Sequence, residues 1–213
     1  MSRVDVTLGV KNAKFKKGME QAKGQVKSFR GVANKGFNFG QAAGMGALLI
    51  GMDKVTDRYD KIHKLALRLS TDVETIQRLE FIGSQNRVSL DEITNALTRL
   101  NRKAADLEIS ALQKAFNGLN IDAQKFQSLG MEERLKVLAD AFNSSGNEGL
   151  AFKHMFTLLE DDAKKLVPLL KQGSGALEEL GDKATVASQK QVEAMVKVRD
   201  ELDAAKNTIT GGI

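Results

Sequence analysis

Cysteine is absent from this chain of 213 residues, which excludes disulfides, thiolate metal sites and a cysteine nucleophile. This absence also fits synthesis in a reducing compartment. Proline occurs only at Pro168, so nearly every segment is free to form helix, because proline removes a backbone donor and clashes with the preceding turn. Tryptophan is absent and aromatic residues make up 5% of the chain, which predicts a mainly aliphatic core.

Long apolar runs are also missing. The most apolar stretch, residues 42–52, has 11 residues and three glycines, whereas a membrane span needs roughly 20 apolar residues. The first residues, Met1 to Asp5, lack the apolar core of a secretory signal. We therefore expect neither a membrane span nor a secretory leader.

Charge is unevenly distributed along the chain. The net charge is +5, but residues 1–40 alone hold nine Lys or Arg against two acidic residues, a balance of +7, so the remainder sums to −2. A basic end of this kind meets nucleic acid, an acidic protein wall or a membrane surface, or it forms a solvated helix face. Charge alone does not choose between these alternatives.

The hydrophobic pattern changes its period near the start of the chain. Residues 3–10 alternate between apolar and polar, which indicates a half-buried strand. From Asn12 to Ala33 apolar residues recur every three or four positions, which predicts an amphipathic helix. A glycine-rich stretch follows up to Gly51, and helical periodicity dominates the rest. The predicted fold class is all-α, elongated or a small helical bundle, with a short extended N-terminal segment.

The middle of the chain carries two helix-start signals, after a first predicted helix over Asp53 to Leu69. The segments 71–74 and 89–92 each have the form of a capping box. In this motif a hydroxyl accepts from the amide three residues on, while a glutamate reaches back to the cap. The helices behind these caps are predicted to pack as a hairpin from Val73 to Leu107.

Shorter helices are predicted beyond Gly118, over residues 122–129, 131–142, 148–159 and 161–170. The last helix is predicted from Thr185 to Ile209. In that helix Val192, Met195, Leu202 and Ile209 have heptad-like spacing, but Arg199 and Lys206 occupy the intervening seam positions, so the coiled-coil signal is weak. Composition divides the chain into a basic N-terminal strand, helix and glycine-rich segment, a helical region and a C-terminal helix. These three segments are 1–52, 53–180 and 181–213.

No catalytic, cofactor-binding or metal site is predicted. His63 and His154 lie far apart in sequence, and neither has a ligand residue four positions further on. The acidic run 160–162 lacks the alternation and glycine turn of a calcium loop, and it places negative charge at the start of the next helix. Ser174 lacks the strand–turn–helix context of a nucleophile elbow. We therefore expect neither an enzyme nor a cofactor.

Six segments, in this order along the chain, carry a resemblance to a known family. In the first, the Val-x-Val-x-Leu strand of residues 4–8 leads into Asn12–Met19, which has the family's phenylalanine, two more residues, glycine and an apolar residue. In the fourth, Ala115–Ile121 is similar to an Ala-Phe-x-x-Leu-Gly-Ile turn. The others are 67–79, 87–100, 131–142 and the Leu-Val-Pro-Leu-Leu of 166–170. The series resembles phage tail tape-measure proteins over most of residues 3–180.

Two features depart from the family pattern. Between Phe156 and Leu166 the family usually has a glycine, whereas this chain has the run Leu158 to Asp162. Members of the family are also several times longer, so this chain is expected to be an N-terminal region or a shortened form.

The resemblance implies a structural protein that sets the length of the tail tube and scaffolds tail assembly through helix-mediated protein contacts. The implied partners are the tail-tube protein, tail assembly chaperones and tail-tip proteins, and we expect a homo-oligomer. The implied location is the virion, inside the tail tube, after synthesis in the host cytoplasm.

Two other classes of function compete with this interpretation. A basic, helical nucleic-acid-binding or regulatory protein of a mobile element predicts salt-dependent DNA affinity centred on residues 11–35. A wall-degrading enzyme predicts two carboxylates facing each other across a cleft. The sequence contains many carboxylates but no pattern of sheet and helix that builds such a cleft.

Overall fold

The computed structural model describes residues 45–105 and 110–210, and within these ranges the regular structure is entirely helical. This confirms the predicted all-α class. The predicted strand at residues 3–10, the helix from Asn12 to Ala33 and Leu107 lie outside the described residues. The helices, in chain order, are α1 (Met45–Leu69), α2 (Val73–Gln85), α3 (Leu90–Ala105), α4 (Ser110–Gly118), α5 (Ala123–Ser128), α6 (Met131–Ser144), α7 (Glu148–Leu159), α8 (Asp162–Leu170), α9 (Gly173–Lys183) and α10 (Gln189–Thr210).

The chain divides into two compact units. Residues 61–189 form the first, which we call the helical unit. The second contains the residues up to Asp60 and those from Lys190 onward, and we call its described helices the helix pair. The predicted segments 1–52, 53–180 and 181–213 follow composition rather than packing, and they stay a prediction.

The helical unit is organised around α3 and α6. Helix α3 packs against α2, α5, α6, α7 and α8, while α6 also packs against α2, α7, α8 and α9. Burying each large apolar side chain contributes about 1.5–3 kcal/mol. The fully buried aliphatic residues include Ile76, Leu79, Ile82, Ile93, Leu97, Leu100, Leu135, Leu138, Leu158, Leu166 and Leu169. The core is therefore mainly aliphatic, as predicted. Two aromatic rings, Phe116 and Phe126, also lie in it, with their centroids 6.1 Å apart.

Three helices of the helical unit end in the same way. A residue one or two positions after the helix has a positive φ, 50° at Ser70, 58° at Arg87 and 54° at Asn120. The next amide donates to a carbonyl five residues earlier, as Ile121 does to Phe116 at 2.9 Å. This is the Schellman motif, which satisfies carbonyls that the helix leaves unpaired.

The two predicted capping boxes have different outcomes. Ser89 and Glu92 form one: the Glu92 amide donates to Ser89 Oγ at 3.2 Å and the Ser89 amide donates to Glu92 Oε2 at 2.9 Å. The box at Thr71 is wrong, because Asp72 caps α2 and its Oδ1 accepts from the Thr75 amide at 2.6 Å. A carboxylate one residue further along takes the cap, which moves the helix start by one position.

Several predicted boundaries also need correction. Helix α1 includes Gly46 and Gly51, so the end of the glycine-rich stretch is helical. Helices α4 and α9 are not among the predicted ones. The last helix begins at Gln189 rather than Thr185, because residues 184–188 form a non-helical connection. We call this connection the strap.

Candidate helix-pairing site

The predicted seam of α10 is buried over its first part. Val192 is fully buried, and Met195 and Val198 are also buried. These positions are three residues apart, so they lie along one side of the helix. Arg199 follows directly, and its side chain is only 29% exposed. An arginine here brings a charge next to an apolar stripe.

Helix α1 presents a mixed polar and apolar face in the same unit. Thr56, Tyr59 and Asp60 are all buried. The Thr56 hydroxyl donates to the Asp53 carbonyl at 3.0 Å, within the helix. The Arg58 guanidinium lies 5.2 Å from the centroid of the Tyr59 ring, at cation–π distance. Asp60 is therefore a carboxylate on a buried helix face.

Arg199 joins these two helices. Its Nη1 donates to Asp60 Oδ2 at 2.7 Å, and it lies 3.1 Å from Asp57 Oδ1. Its Nε lies 3.6 Å from Asp203 Oδ2 on its own helix. The Asp60 side chain is 12% exposed, whereas those of Asp57 and Asp203 are more than half exposed. Arg199 thus binds one buried carboxylate and two exposed ones.

This arrangement fixes how the two helices align. A buried ion pair contributes little net stability, because desolvation offsets the attraction, but removing one partner leaves an uncompensated charge and costs several kcal/mol. A polar residue at a seam position therefore specifies register between helices. In the sequence Arg199 counts against a coiled coil, whereas in the structure it is the residue that pairs the helices. A carboxylate at a seam position of α1 is the sequence signal that would have predicted the partners of Arg199.

The two histidines are not brought together. His63 lies in α1 and its Nδ1 is buried without a hydrogen-bond partner. His154 lies in α7 against the backbone of Gly118, where an added Cβ would be 2.4 Å from its Nε2. The ring of His154 therefore fills space that glycine leaves open at the end of α4.

The acidic run 160–162 lies at the joint between α7 and α8. Asp162 is the first residue of α8, and its negative charge interacts favourably with the positive end of the helix dipole, as predicted. Lys103 Nζ donates to Glu160 Oε1 at 2.7 Å and Arg99 Nη1 donates to Oε2 at 3.2 Å. The hydrogen bond from Lys103 is the main reason that the pKa of Glu160 is lowered.

A second charged cluster joins α2, α6 and α9. Arg78 donates from Nε to Glu132 Oε2 at 3.0 Å and from Nη2 to Asp182 Oδ1 at 2.9 Å. The hydrogen bond that Arg78 donates to Glu132 is the main reason that the pKa of Arg78 is raised. Gly181 lies under this pair, since an added Cβ would approach Arg78 Nη2 to 3.1 Å. The cluster holds three helices together.

A groove of about 570 Å³ lies at the turn between α4 and α5. Its acidic residue, Asp122, accepts from the Gln124 and Lys125 amides at 3.0 Å as the N-cap of α5. Carboxamides and apolar side chains form the rest of the lining: Gln113, Phe116, Asn117, Asn120, Ile121, Ala123 and Gln124. The groove offers hydrogen-bonding amides rather than an acid–base pair.

Ser174 lies in the first turn of α9, and its amide donates to Asp140 Oδ1 at 2.9 Å. Helix α8 precedes it, so the surroundings are helix–turn–helix. Among residues 45–105 and 110–210, no group of three His, Cys, Asp or Glu side chains has the geometry to hold a metal ion. No helix in that part of the chain is long and apolar enough to cross a bilayer.

No significant match to this chain is found among protein-family models, curated proteins or solved structures.

Proposed function

We propose that this chain is a structural protein of a phage or prophage-derived tail, a tape-measure protein that sets tail-tube length and scaffolds assembly, rather than an enzyme. It acts through helix-mediated contacts with the tail-tube protein, tail assembly chaperones, tail-tip proteins and further copies of itself. It is made in the host cytoplasm and ends inside the tail tube.

The observation that carries the proposal is where the resembling segments lie in the fold. In the segment 115–121 the family pattern has a glycine at the place of Asn120, and Asn120 has a φ of 54°. In the stretch between Phe156 and Leu166, where the family usually has a glycine, Glu160 has a φ of 56°. Positive φ is the conformation for which glycine is the default residue. The pattern therefore matches the backbone geometry of this chain.

Other resembling segments form caps and core. Segment 87–100 contains the Ser89–Glu92 capping box and the buried Leu97. Segment 166–170 contributes three fully buried leucines to α8, Leu166, Leu169 and Leu170. A resemblance carried by caps, turns and core points to a shared fold, and the function inferred from it is structural.

The helix pair supplies the kind of contact that the proposed function needs. Its buried seam is short and contains an arginine whose partners are two carboxylates on another helix. Such a seam is specific because a partner without those carboxylates leaves the guanidinium without its buried partner, Asp60. This supports assembly through particular helices rather than through a general apolar surface.

The competing proposal is a basic nucleic-acid-binding protein of a mobile element. Its main feature, the basic residues 11–35, lies outside the described residues. Replacing Lys14, Lys16, Lys17, Lys23 and Lys27 by glutamate would abolish a salt-dependent gel shift if this proposal holds. If the tail proposal holds instead, the gel shift reports nothing about the function of the chain. Incorporation of this variant into tails is then the only informative measurement.

The composition of purified particles tests the tail proposal. Tails from the element that encodes this chain are analysed by quantitative mass spectrometry before and after genome ejection is triggered. We expect peptides from residues 61–189 in intact tails and their depletion after ejection. Their absence from intact tails, with the tube protein present, would refute the proposal.

A further inference from the structure

The strap, residues 184–188, is held to the helical unit by one buried side chain. Gln77 of α2 is 2% exposed, and Ala187 of the strap is fully buried. Gln77 Nε2 donates to the Ala187 carbonyl at 2.8 Å, and the Ala187 amide donates to Gln77 Oε1 at 2.8 Å. The carboxamide therefore pairs with the strap's main chain at two points.

Two further contacts complete this set of hydrogen bonds, which we call the latch. Gln77 Nε2 also donates to the Val73 carbonyl at 3.0 Å, which fixes the carboxamide on α2. The Gln189 amide, at the start of α10, donates to Glu74 Oε1 at 3.1 Å. The contacts of Gln77 with Ala187, and of Glu74 with Gln189, use only main-chain groups of Ala187 and Gln189. The latch thus contacts main-chain atoms rather than side chains of the connection, and it is the same whether that main chain belongs to its own molecule or to another.

Helix α10 follows the strap directly, and its chemistry restricts what it can bind once it is released. Val192, Met195 and Val198 would lose their cover, and Arg199 would lose the carboxylates of Asp57 and Asp60. A new partner must offer Arg199 two carboxylates three residues apart on a helix. Helix α1 of a second copy offers these carboxylates, at the same spacing.

We propose that the strap and α10 exchange as one element between two copies of this chain, so that Arg199 of each copy binds Asp57 and Asp60 of the other. This inference rests on the proposed helix-mediated assembly, because exchange gives the homo-oligomer a defined contact. Every contact of the closed chain is remade in the exchanged pair, so the balance between them depends on chain concentration rather than on new interactions. At the high local concentration of an assembling tail the exchanged form is favoured.

Charge inversion tests the exchange with the full-length chain. One variant carries Arg199→Asp, and the other carries Asp57→Lys with Asp60→Lys, each with a different affinity tag. Alone, each variant sets like charges against one another, both within a chain and between identical copies. In a mixed exchanged pair both sites hold opposite charges, one native and one inverted. A triple variant with all three substitutions restores the pairing within one chain and shows that the substitutions permit folding.

We expect the equimolar mixture to give a complex of twice the chain mass that carries both tags, at concentrations where each variant alone gives none. The triple variant should be monomeric at those concentrations. A mixture without any complex carrying both tags would overturn the exchange. So would complexes that form equally in either variant alone, since these would be independent of Arg199.

The latch itself is tested by the rate of exchange between tagged and untagged wild-type chains. Gln77→Met keeps the volume and loses the carboxamide, and Gln85→Met is the matched control at an exposed position of the same helix. Losing the two hydrogen bonds to Ala187, each worth about fivefold to tenfold, should accelerate exchange by about 25-fold to 100-fold. Equal rates for both variants would remove Gln77 from the mechanism. Both experiments use purified protein, so their failure leaves the tail proposal to be judged on particle composition.

Discussion

At the scale of single residues, the backbone is most unusual where non-glycine residues have a positive φ, which within residues 45–105 and 110–210 occurs at Ser70, Arg87, Asn120 and Glu160. The left-handed conformation costs most L-residues roughly 1–2 kcal/mol, and asparagine adopts it more readily than others. Ser70, Arg87 and Asn120 end helices in Schellman motifs, where the conformation closes the last turn. Glu160 has a ψ of −133° and so lies outside the left-handed helical region, and Lys103 and Arg99 hold its side chain.

Glycine at two of these positions is expected to stabilise the helical unit. Arg87→Gly and Ser70→Gly remove the left-handed penalty but lose some backbone entropy, so a net gain of about 0.5–1 kcal/mol each is expected. Asn120→Gly should be nearly neutral and serves as the internal comparison. Thermal or urea unfolding measures all three. A loss of stability in Arg87→Gly would show that its side chain matters more than its backbone.

Gly118 has a different requirement, which is space for His154. Gly118→Ala gains helix propensity but forces the added Cβ into the imidazole ring, so a loss of about 1–3 kcal/mol is expected. Gly175→Ala in α9 meets nothing within 4 Å and should gain stability. Unfolding in urea measures both. Combining Gly118→Ala with His154→Ala should cost less than the sum of the single changes, whereas full additivity would contradict the contact.

These details were only partly accessible from the sequence. Single histidines without ligand spacing predict no site, and this stays a prediction, whereas the contact between His154 and Gly118 joins helices that are separate in sequence. Arg199 is likewise visible as a seam residue, while its partners on α1 depend on how two distant helices align. Residue type predicts chemistry, and long-range packing decides which residues meet.

At the scale of elements, the Ser89–Glu92 capping box gives α3 a pH-dependent start. Hydrogen bonds from the Ser89 amide and hydroxyl lower the pKa of Glu92 below its ordinary value of 4.5. Because the folded pKa is the lower one, this contribution is present above the ordinary value and is lost as the pH falls through the folded value.

We therefore expect the free energy of unfolding to fall between about pH 5 and about pH 3, and to fall less in Glu92→Gln. Ser89→Ala should cost about 1 kcal/mol at neutral pH. The control is Glu133→Gln in the first turn of α6, whose carboxylate lies 3.4 Å from Lys136. Urea unfolding across this pH range measures the effect, and identical pH profiles for the Glu92 and Glu133 variants would contradict it.

Element boundaries show where sequence reasoning succeeds and why it fails. Helix α7 begins and ends where predicted, since Asn147 caps it and its periodicity is clear. Helix α9 is missed because Gly173, Gly175 and Gly181 weaken its helical pattern. Gly181 is needed there because Arg78 and Glu132 lie directly above it. Tertiary packing stabilises a helix of low intrinsic propensity.

At the scale of the whole molecule, the folded helical unit changes what a molecular ruler would measure. Residues 61–189, if drawn out as one helix, would span about 190 Å at 1.5 Å per residue. Packed as they are here, residues of that number have a radius of gyration of about 14 Å. For these residues to act as a ruler, the unit must therefore extend and replace its buried core with contacts to partners.

Tail length in particles with a shortened chain tests the central claim most directly. Deleting residues 72–127 in frame removes 56 residues, and tail lengths are then measured on negatively stained particles. Full-length Leu97→Asp is the control, because it disrupts the core of the same unit without changing the length of the chain. We predict tails shortened by up to about 84 Å in the deletion, and tails of normal length wherever the control assembles. Tails of normal length in the deletion would contradict the tape-measure account.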